Sequence, residues 1–188
     1  MVQNTAARTV TYSCNRMADH KCKILEETFE GMLLEIDGTQ LWCPLIGRHN
    51  AYNALAIYSS AVELGISPEE ALVGLSRIGQ VCGRLEQMKG PRGINVVIDY
   101  AHTPDALTNV LNTIREVLAG KGQVITVVGA GGNRDKGKRP LMAQESVKHS
   151  DRVIITSDNP RFEEPLDIMR DIEGSIIKTG GKYIMIEE

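Results

Sequence analysis

The chain has no apolar run near the ~20 residues that a membrane-spanning helix needs, and Met1 is not followed by a basic and then apolar leader. Membrane insertion is therefore not expected, and the cytoplasm is the expected compartment. An excess of basic charge is also missing. Lys and Arg number 21 against 24 Asp and Glu, a net charge of -3 that gives no electrostatic case for nucleic-acid binding. The cysteines Cys14, Cys22, Cys43 and Cys82 form no C-x-x-C pair or other metal-ligand spacing, so they read as reduced packing thiols. A zinc site would need His20 to join Cys14 and Cys22 by coincidence, and no metal site is expected. With 42% hydrophobic and 24% charged residues, the 188-residue chain has room for one domain, or a domain with part of another.

What is present is a repeated pattern. Short apolar runs at 96–98, 124–128 and 153–155 each stop at polar or glycine-rich residues: Asp99 to Pro104, Gly129 to Lys138, and Thr156 to Arg161. Helical periodicity follows each break, which predicts a parallel α/β sheet with three loops at one edge. Ligands of open α/β sheets sit at that edge, so the three loops are expected to share one crevice. The helices are predicted over 104–118 with Thr103 as cap, from Pro140, and over 165–178, with a further strand at 183–186. Earlier in the chain, strands are predicted at 10–12, 29–36 and 40–45, the last two joined at Asp37-Gly38. A helix follows from Asn50 to Gly65. A second opens with Ser67-Pro68-Glu69-Glu70, a capping box with proline at the first helical position. Residues 79–93 hold four glycines and one proline around Arg84 and read as a connector.

The loops offer several chemistries. Gly132 to Lys138 fits G-x-x-x-x-G-K, but Arg139 stands where a phosphate loop needs Ser or Thr for magnesium. Gly129-Ala130-Gly131 begins a dinucleotide fingerprint whose third glycine would fall at Arg134. What remains is a glycine-rich turn with three or four cations, suited to a carboxylate or phosphate, against the plainer reading of a surface turn with solvated charges. Ser157-Asp158-Asn159-Pro160-Arg161 sets a carboxylate, an amide and a guanidinium within a few residues, complementary to a zwitterion such as an amino acid. The same run is also an ordinary turn or helix cap. Asp99 at a strand end suits ribose hydroxyls and His102 a phosphate, or else Asp99 makes a local turn and His102 is a loop histidine. Asn50 and Asn53 share a helix face and could read an adenine edge, or Asn50 is a helix cap. Arg84 clamps a phosphate or is a solvated charge.

The order of these motifs is more specific than any one of them. G-R-H-N-x-x-N, G-R-L-E, D-Y-A-H-T-P-D-A, G-A-G-G-N-R-D-K-G-K-R-P-L-M and S-D-N-P-R-x-E-x-P closely resemble the Mur ligase family, in the branch that adds meso-diaminopimelate to UDP-N-acetylmuramoyl-dipeptide for peptidoglycan synthesis. The resemblance spans roughly residues 8–188. It implies an ATP-dependent acid–amino-acid ligase acting through an acyl phosphate, with ATP and Mg2+ as cofactors, the nucleotide-linked dipeptide and meso-diaminopimelate as substrates, and a monomeric state. It implies that Asn50, Asn53, Arg84, Asp99 and His102 bind ATP and that Arg134, Asp158, Asn159, Pro160 and Arg161 bind diaminopimelate. Residues 1–83 are implied to be the end of the central ATP-binding domain, 84–93 a linker, and 94–188 most of a Rossmann-like C-terminal domain. A complete ligase of this family also has a UDP-binding domain, a true phosphate loop, magnesium ligands and a carbamylated lysine. None has a counterpart here, so the chain is expected to be a fragment that is inactive alone. Two alternatives are a ligase of the folylpolyglutamate or cyanophycin synthetase type and a nucleotide- or amino-acid-binding module without chemistry.

Overall fold

The computed structural model describes residues 5–187, in two compact units that divide between Asp99 and Tyr100. In the first, β1 (Tyr12–Ser13) pairs parallel with β2 (His20–Thr28), and β2, β3 (Gly31–Ile36) and β4 (Thr39–Cys43) form an antiparallel meander. The β3–β4 turn is built on Asp37 and Gly38, both at positive φ, as an Asp-Gly hairpin requires. Period-two alternation then turns Met32, Leu34, Ile36, Leu41 and Cys43 to one buried face. Onto that face pack α1 (Arg48–Glu63), through Ala51, Ala54, Leu55 and Tyr58, and α2 (Pro68–Ser76), through Ala71, Leu72 and Leu75. The cap of α2 is as its sequence predicts: the Ser67 hydroxyl accepts from the Glu70 amide at 3.2 Å, with Pro68 at the first helical position.

Strand β2 escapes sequence pattern because His20, Lys21, Lys23, Glu26 and Glu27 interrupt its apolar residues. The 79–93 connector is also more ordered than its glycines suggest. It contains β5 (Glu86–Lys89) and a 3-10 turn at Pro91–Gly93, and β5 pairs antiparallel with β6 (Asn95–Ile98). That pairing corrects the expected parallel sheet of four strands, in which 94–98 was to be the first. The apolar run at 96–98 makes its ladder with β5, and among the described residues it has none with the later strands.

The second unit has the anticipated parallel order. Strands β7 (Ile125–Val128), β8 (Arg152–Thr156) and β9 (Tyr183–Ile186) lie side by side and run the same way. They are preceded or joined by α3 (Pro104–Leu118), α4 (Lys138–His149) and α5 (Pro165–Thr179). Thr103 caps α3 by accepting from the Ala106 amide at 3.2 Å. The core is formed by Leu107 and Leu111 of α3, Met142 and Ala143 of α4, and Met169, Ile172 and Ile176 of α5, against Val128, Val153 and Ile155. No helix among the described residues is long and apolar enough to cross a membrane.

Leu34 is fully buried on the strand beside that of Trp42, the only tryptophan. Leu34→Ala is expected to destabilise the first unit by about 2–5 kcal/mol, read as a lower urea midpoint of Trp42 fluorescence.

Candidate functional site

The first unit gathers one set of candidate residues. Gly47, at φ 91, precedes α1, and a side chain there would meet the His49 ring at 2.9 Å and Leu85 at 3.0 Å. Only glycine leaves that space free. Leu85 is itself left-handed, φ 45, and its amide donates to Asp99 Oδ2 at 2.9 Å. The β5–β6 register explains this meeting, because Glu86 pairs with Ile98 and the next step outward puts Leu85 beside Asp99. Burial pushes the His49 imidazole below its ordinary value; Asp99 opposes that shift and Arg84 adds to it. His49 is therefore neutral at pH 7, amid a carboxylate and a guanidinium.

Asn50 and Asn53 do share a face, yet they differ in freedom. Asn50 is buried, donates to the Ile46 carbonyl at 2.7 Å and accepts from Asn53 Nδ2 at 3.3 Å. It is not the helix cap, a position held by Gly47. Asn53 is exposed, so of the pair it is the one available to a ligand. Arg84 is exposed, and Asp99 half-buried with one oxygen committed to Leu85. His102, in the second unit, is exposed, with Nδ1 3.1 Å from the Tyr100 carbonyl and its ring edge-on to Tyr100.

In the second unit, the loops after β7 and β8 pack directly on each other. The Gly132 amide donates to the Asn159 carbonyl at 2.8 Å, and Arg161 Nη1 donates to the Gly132 carbonyl at 2.6 Å. A Cβ at Gly132 would overlap the Pro160 carbonyl, and one at Gly129 would stand 3.0 Å from the Asp158 Cβ. The glycines are needed here for close backbone approach. Arg161 and Arg134 both reach the space beside Gly131, where a Cβ would meet Arg161 Nη1 at 2.8 Å and Arg134 Cγ at 3.8 Å. Arg134, Asp158, Asn159 and Arg161 are exposed and Pro160 partly so.

The cations of the glycine loop do not all face a ligand, as the sequence had suggested. Arg139, only 2% exposed, donates to Glu163 at 3.0 and 3.1 Å and to Asp171 at 2.7 Å. Lys136 pairs with Glu163 at 3.0 Å. Arg139 and Lys138 lie in the first turn of α4, which holds no acidic residue. Cations oppose the helix dipole there, and Glu163 supplies the missing negative charge. Its carboxylate also accepts from the Asn133 amide at 2.5 Å, while Asn133 Oδ1 accepts from the Phe162 amide at 3.1 Å. Arg139, the Asn133 amide and Lys136 together hold the Glu163 carboxyl down at about 2. Arg134 and Lys138 stay exposed, with no side-chain partner among the described residues.

Sequence reasoning named neither Glu163 nor Arg139 as part of this arrangement. A signal was available in the failed phosphate-loop match at Arg139 and in the unexplained E of the D-N-P-R-x-E run.

Taken as a class, the fold joins an α/β unit bearing an Asn-containing helix to a parallel α/β unit whose two strand-end loops form one polar rim. Comparison with known proteins makes this specific. Residues 83–188 match the model of the Mur ligase glutamate ligase domain. The chain belongs to the Mur ligase family. It is 60% identical over 178 residues to the UDP-N-acetylmuramoyl-L-alanyl-D-glutamate–2,6-diaminopimelate ligase of Parabacteroides distasonis, covering 95% of this chain and 37% of that one. A solved structure of a ligase with the same name is 32% identical, with a TM-score of 0.65 over 95% of this chain and 37% of the other. A folylpolyglutamate synthase from Thermotoga maritima, 19% identical with a TM-score of 0.68 over 90% of this chain and 40% of its own, shares the fold. The chain thus spans little more than a third of the relatives it matches.

Two outcomes follow from this geometry. Glu163 has its carboxyl lowered from 4.5 to about 2. Its contribution to stability is therefore complete above the unfolded-state value near 4.5 and is lost as pH falls toward 2. Glu163→Gln is expected to flatten acid unfolding of the second unit between about pH 4.5 and 2, measured by circular dichroism against pH. Arg139→Met should cost about 3 kcal/mol, since it strips two carboxylates of a buried partner, read as a lower denaturant midpoint.

Proposed function

We propose that this chain is the part of an ATP-dependent amide-forming ligase that holds the incoming amino acid and one side of the nucleotide. The parent enzyme adds meso-diaminopimelate to UDP-N-acetylmuramoyl-dipeptide in peptidoglycan synthesis, in the cytoplasm. In this reading ATP phosphorylates the dipeptide carboxylate, and the amine of diaminopimelate attacks the acyl phosphate, expelling phosphate and forming the amide. The observation that carries the proposal is the rim at Gly131, which Arg134 and Arg161 both approach while Asp158 lies against Gly129 on the neighbouring loop. Two guanidiniums, an amide and a carboxylate suit the distal carboxylate and ammonium of diaminopimelate, whereas lysine offers no second carboxylate to the arginines. The names of the similar ligases support the same reading.

Arg161 and Arg134 would bind the distal carboxylate and Asp158 the ammonium, with Asn159 and Pro160 shaping the wall. Asn53 would meet adenine, held in place by Asn50. Asp99 would use its second oxygen on ribose, and Arg84 and His102 would meet phosphate. Magnesium, where the parent binds it, would draw charge from the transferring phosphate. Among the described residues no three His, Cys, Asp or Glu side chains converge on a metal position, so none is assigned to it. Domain limits of 1–83, 84–93 and 94–188 accompany this proposal, as does a monomeric state. We also propose that the 188 residues alone do not turn over, because no phosphate loop ending in Lys and Ser or Thr occurs in them.

Arg134 is the cleanest test, since it has no side-chain partner to lose among the described residues. Calorimetric titration of meso-diaminopimelate into the full-length parent enzyme is expected to weaken by about 1.5–3 kcal/mol with Arg134→Ala, the range for a charged hydrogen bond. Unchanged affinity would remove Arg134 from the pocket.

A further inference from the structure

The two loops of the second unit's rim each contain one non-glycine residue with left-handed backbone, Asn133 at φ 51 and Arg161 at φ 52. The loops are laced together around these two positions. The Gly132 amide donates to the Asn159 carbonyl, and the Gly132 carbonyl accepts from the Arg161 guanidinium. Asn133 extends the lacing in both directions: its amide donates to Glu163 Oε1 at 2.5 Å, and its Oδ1 accepts from the Phe162 amide at 3.1 Å. On the other loop the Glu163 amide returns to the Pro160 carbonyl at 3.0 Å, closing a turn around Arg161. Asn133 Oδ1 thus ties the glycine loop to the turn that carries Arg161.

Asparagine meets two demands at this position. Left-handed backbone is open to glycine and, among residues with a side chain, is taken most readily by asparagine and aspartate. Glycine would satisfy the backbone but lose the acceptor. Arg134 follows Asn133 directly and is exposed, with no side-chain partner among the described residues. Its direction is therefore set by the backbone it leaves, which Asn133 fixes.

We propose that Asn133 is a positioning residue for the amino-acid substrate: by bonding the Phe162 amide it holds Arg134 and Arg161 at the spacing that one carboxylate needs. The inference rests on the pocket proposed above and names what sets its geometry. Asn133 acts through the two arginines and needs no contact of its own with the ligand. Hydrogen bonds weaken steeply with misalignment, so a drift of about 1 Å in either guanidinium is enough to lose part of the binding.

Steady-state kinetics of the full-length parent enzyme, with meso-diaminopimelate and ATP varied in turn, test this. Asn133→Gly keeps the left-handed backbone and removes the acceptor. The KM for diaminopimelate is expected to rise roughly three- to tenfold, the range for one net hydrogen bond, with kcat and the KM for ATP unchanged, as for a loss of uniform binding. Asn133→Asp, which retains both the acceptor and the backbone preference, should restore the KM. With Arg134→Ala already in place, the effect of Asn133→Gly should shrink, because residues that act through one another are not additive. A fall in kcat at constant KM, the result of a merely structural role, would overturn the inference. So would an equal penalty with and without Arg134, or no rescue by aspartate. An unchanged KM for Arg134→Ala alone would instead overturn the pocket, and the inference with it.

Discussion

The pairing of Arg139 with Glu163 is the constraint on which the second unit's rim depends. Two loops at the carboxy ends of parallel strands would otherwise bring together a row of cations, a helix start lacking acidic residues and the unpaired amide of Asn133. One carboxylate, accepting from Arg139, Lys136 and the Asn133 amide, offsets all three. Its neighbours can then leave Arg134 and Asp158 exposed, with no side-chain partner among the described residues, because the charges needed to hold the loops are already supplied behind them. The residues proposed to bind and those that support them are thus separated within a stretch of a few positions. Lys138 and Arg134 face solvent, Arg139 is buried against Glu163, and Lys136, itself exposed, pairs with the same carboxylate.

The same division recurs in the first unit on a smaller scale. Asn50 is buried and committed to Ile46, leaving Asn53 exposed one turn along. Asp99 uses one oxygen to fix Leu85 in a left-handed turn and keeps the other. In each case a polar residue that seemed from sequence to be a ligand contact serves partly to hold its neighbour still. Such commitments fix the neighbours' positions before any ligand arrives, which lowers the ordering cost of binding.

Much of the fold was legible because periodicity and caps report local physics directly. The helices at 104–118 and 165–178, the Ser67 cap, the Asp37-Gly38 turn and the parallel order of the last three strands all appear where the pattern puts them. Strand β2 was hidden by its charges, and β5 by flanking glycines, since a strand's partner is a long-range fact that local composition does not carry. The run at 96–98 was recognised as a strand but given the wrong neighbour for the same reason. The loops were identifiable as binding candidates from residue type, yet which cation faces out and which is buried depends on Glu163, some 24–30 residues away from its partners.

The loops after β7 and β8 are proposed to act as one amino-acid-binding rim. Amide chemical shifts of the labelled chain, titrated with meso-diaminopimelate and separately with lysine, test it most directly. Residues 131–134 and 158–161 are expected to move together with diaminopimelate and little with lysine. Equal responses to both ligands, or shifts confined to one loop, would contradict it.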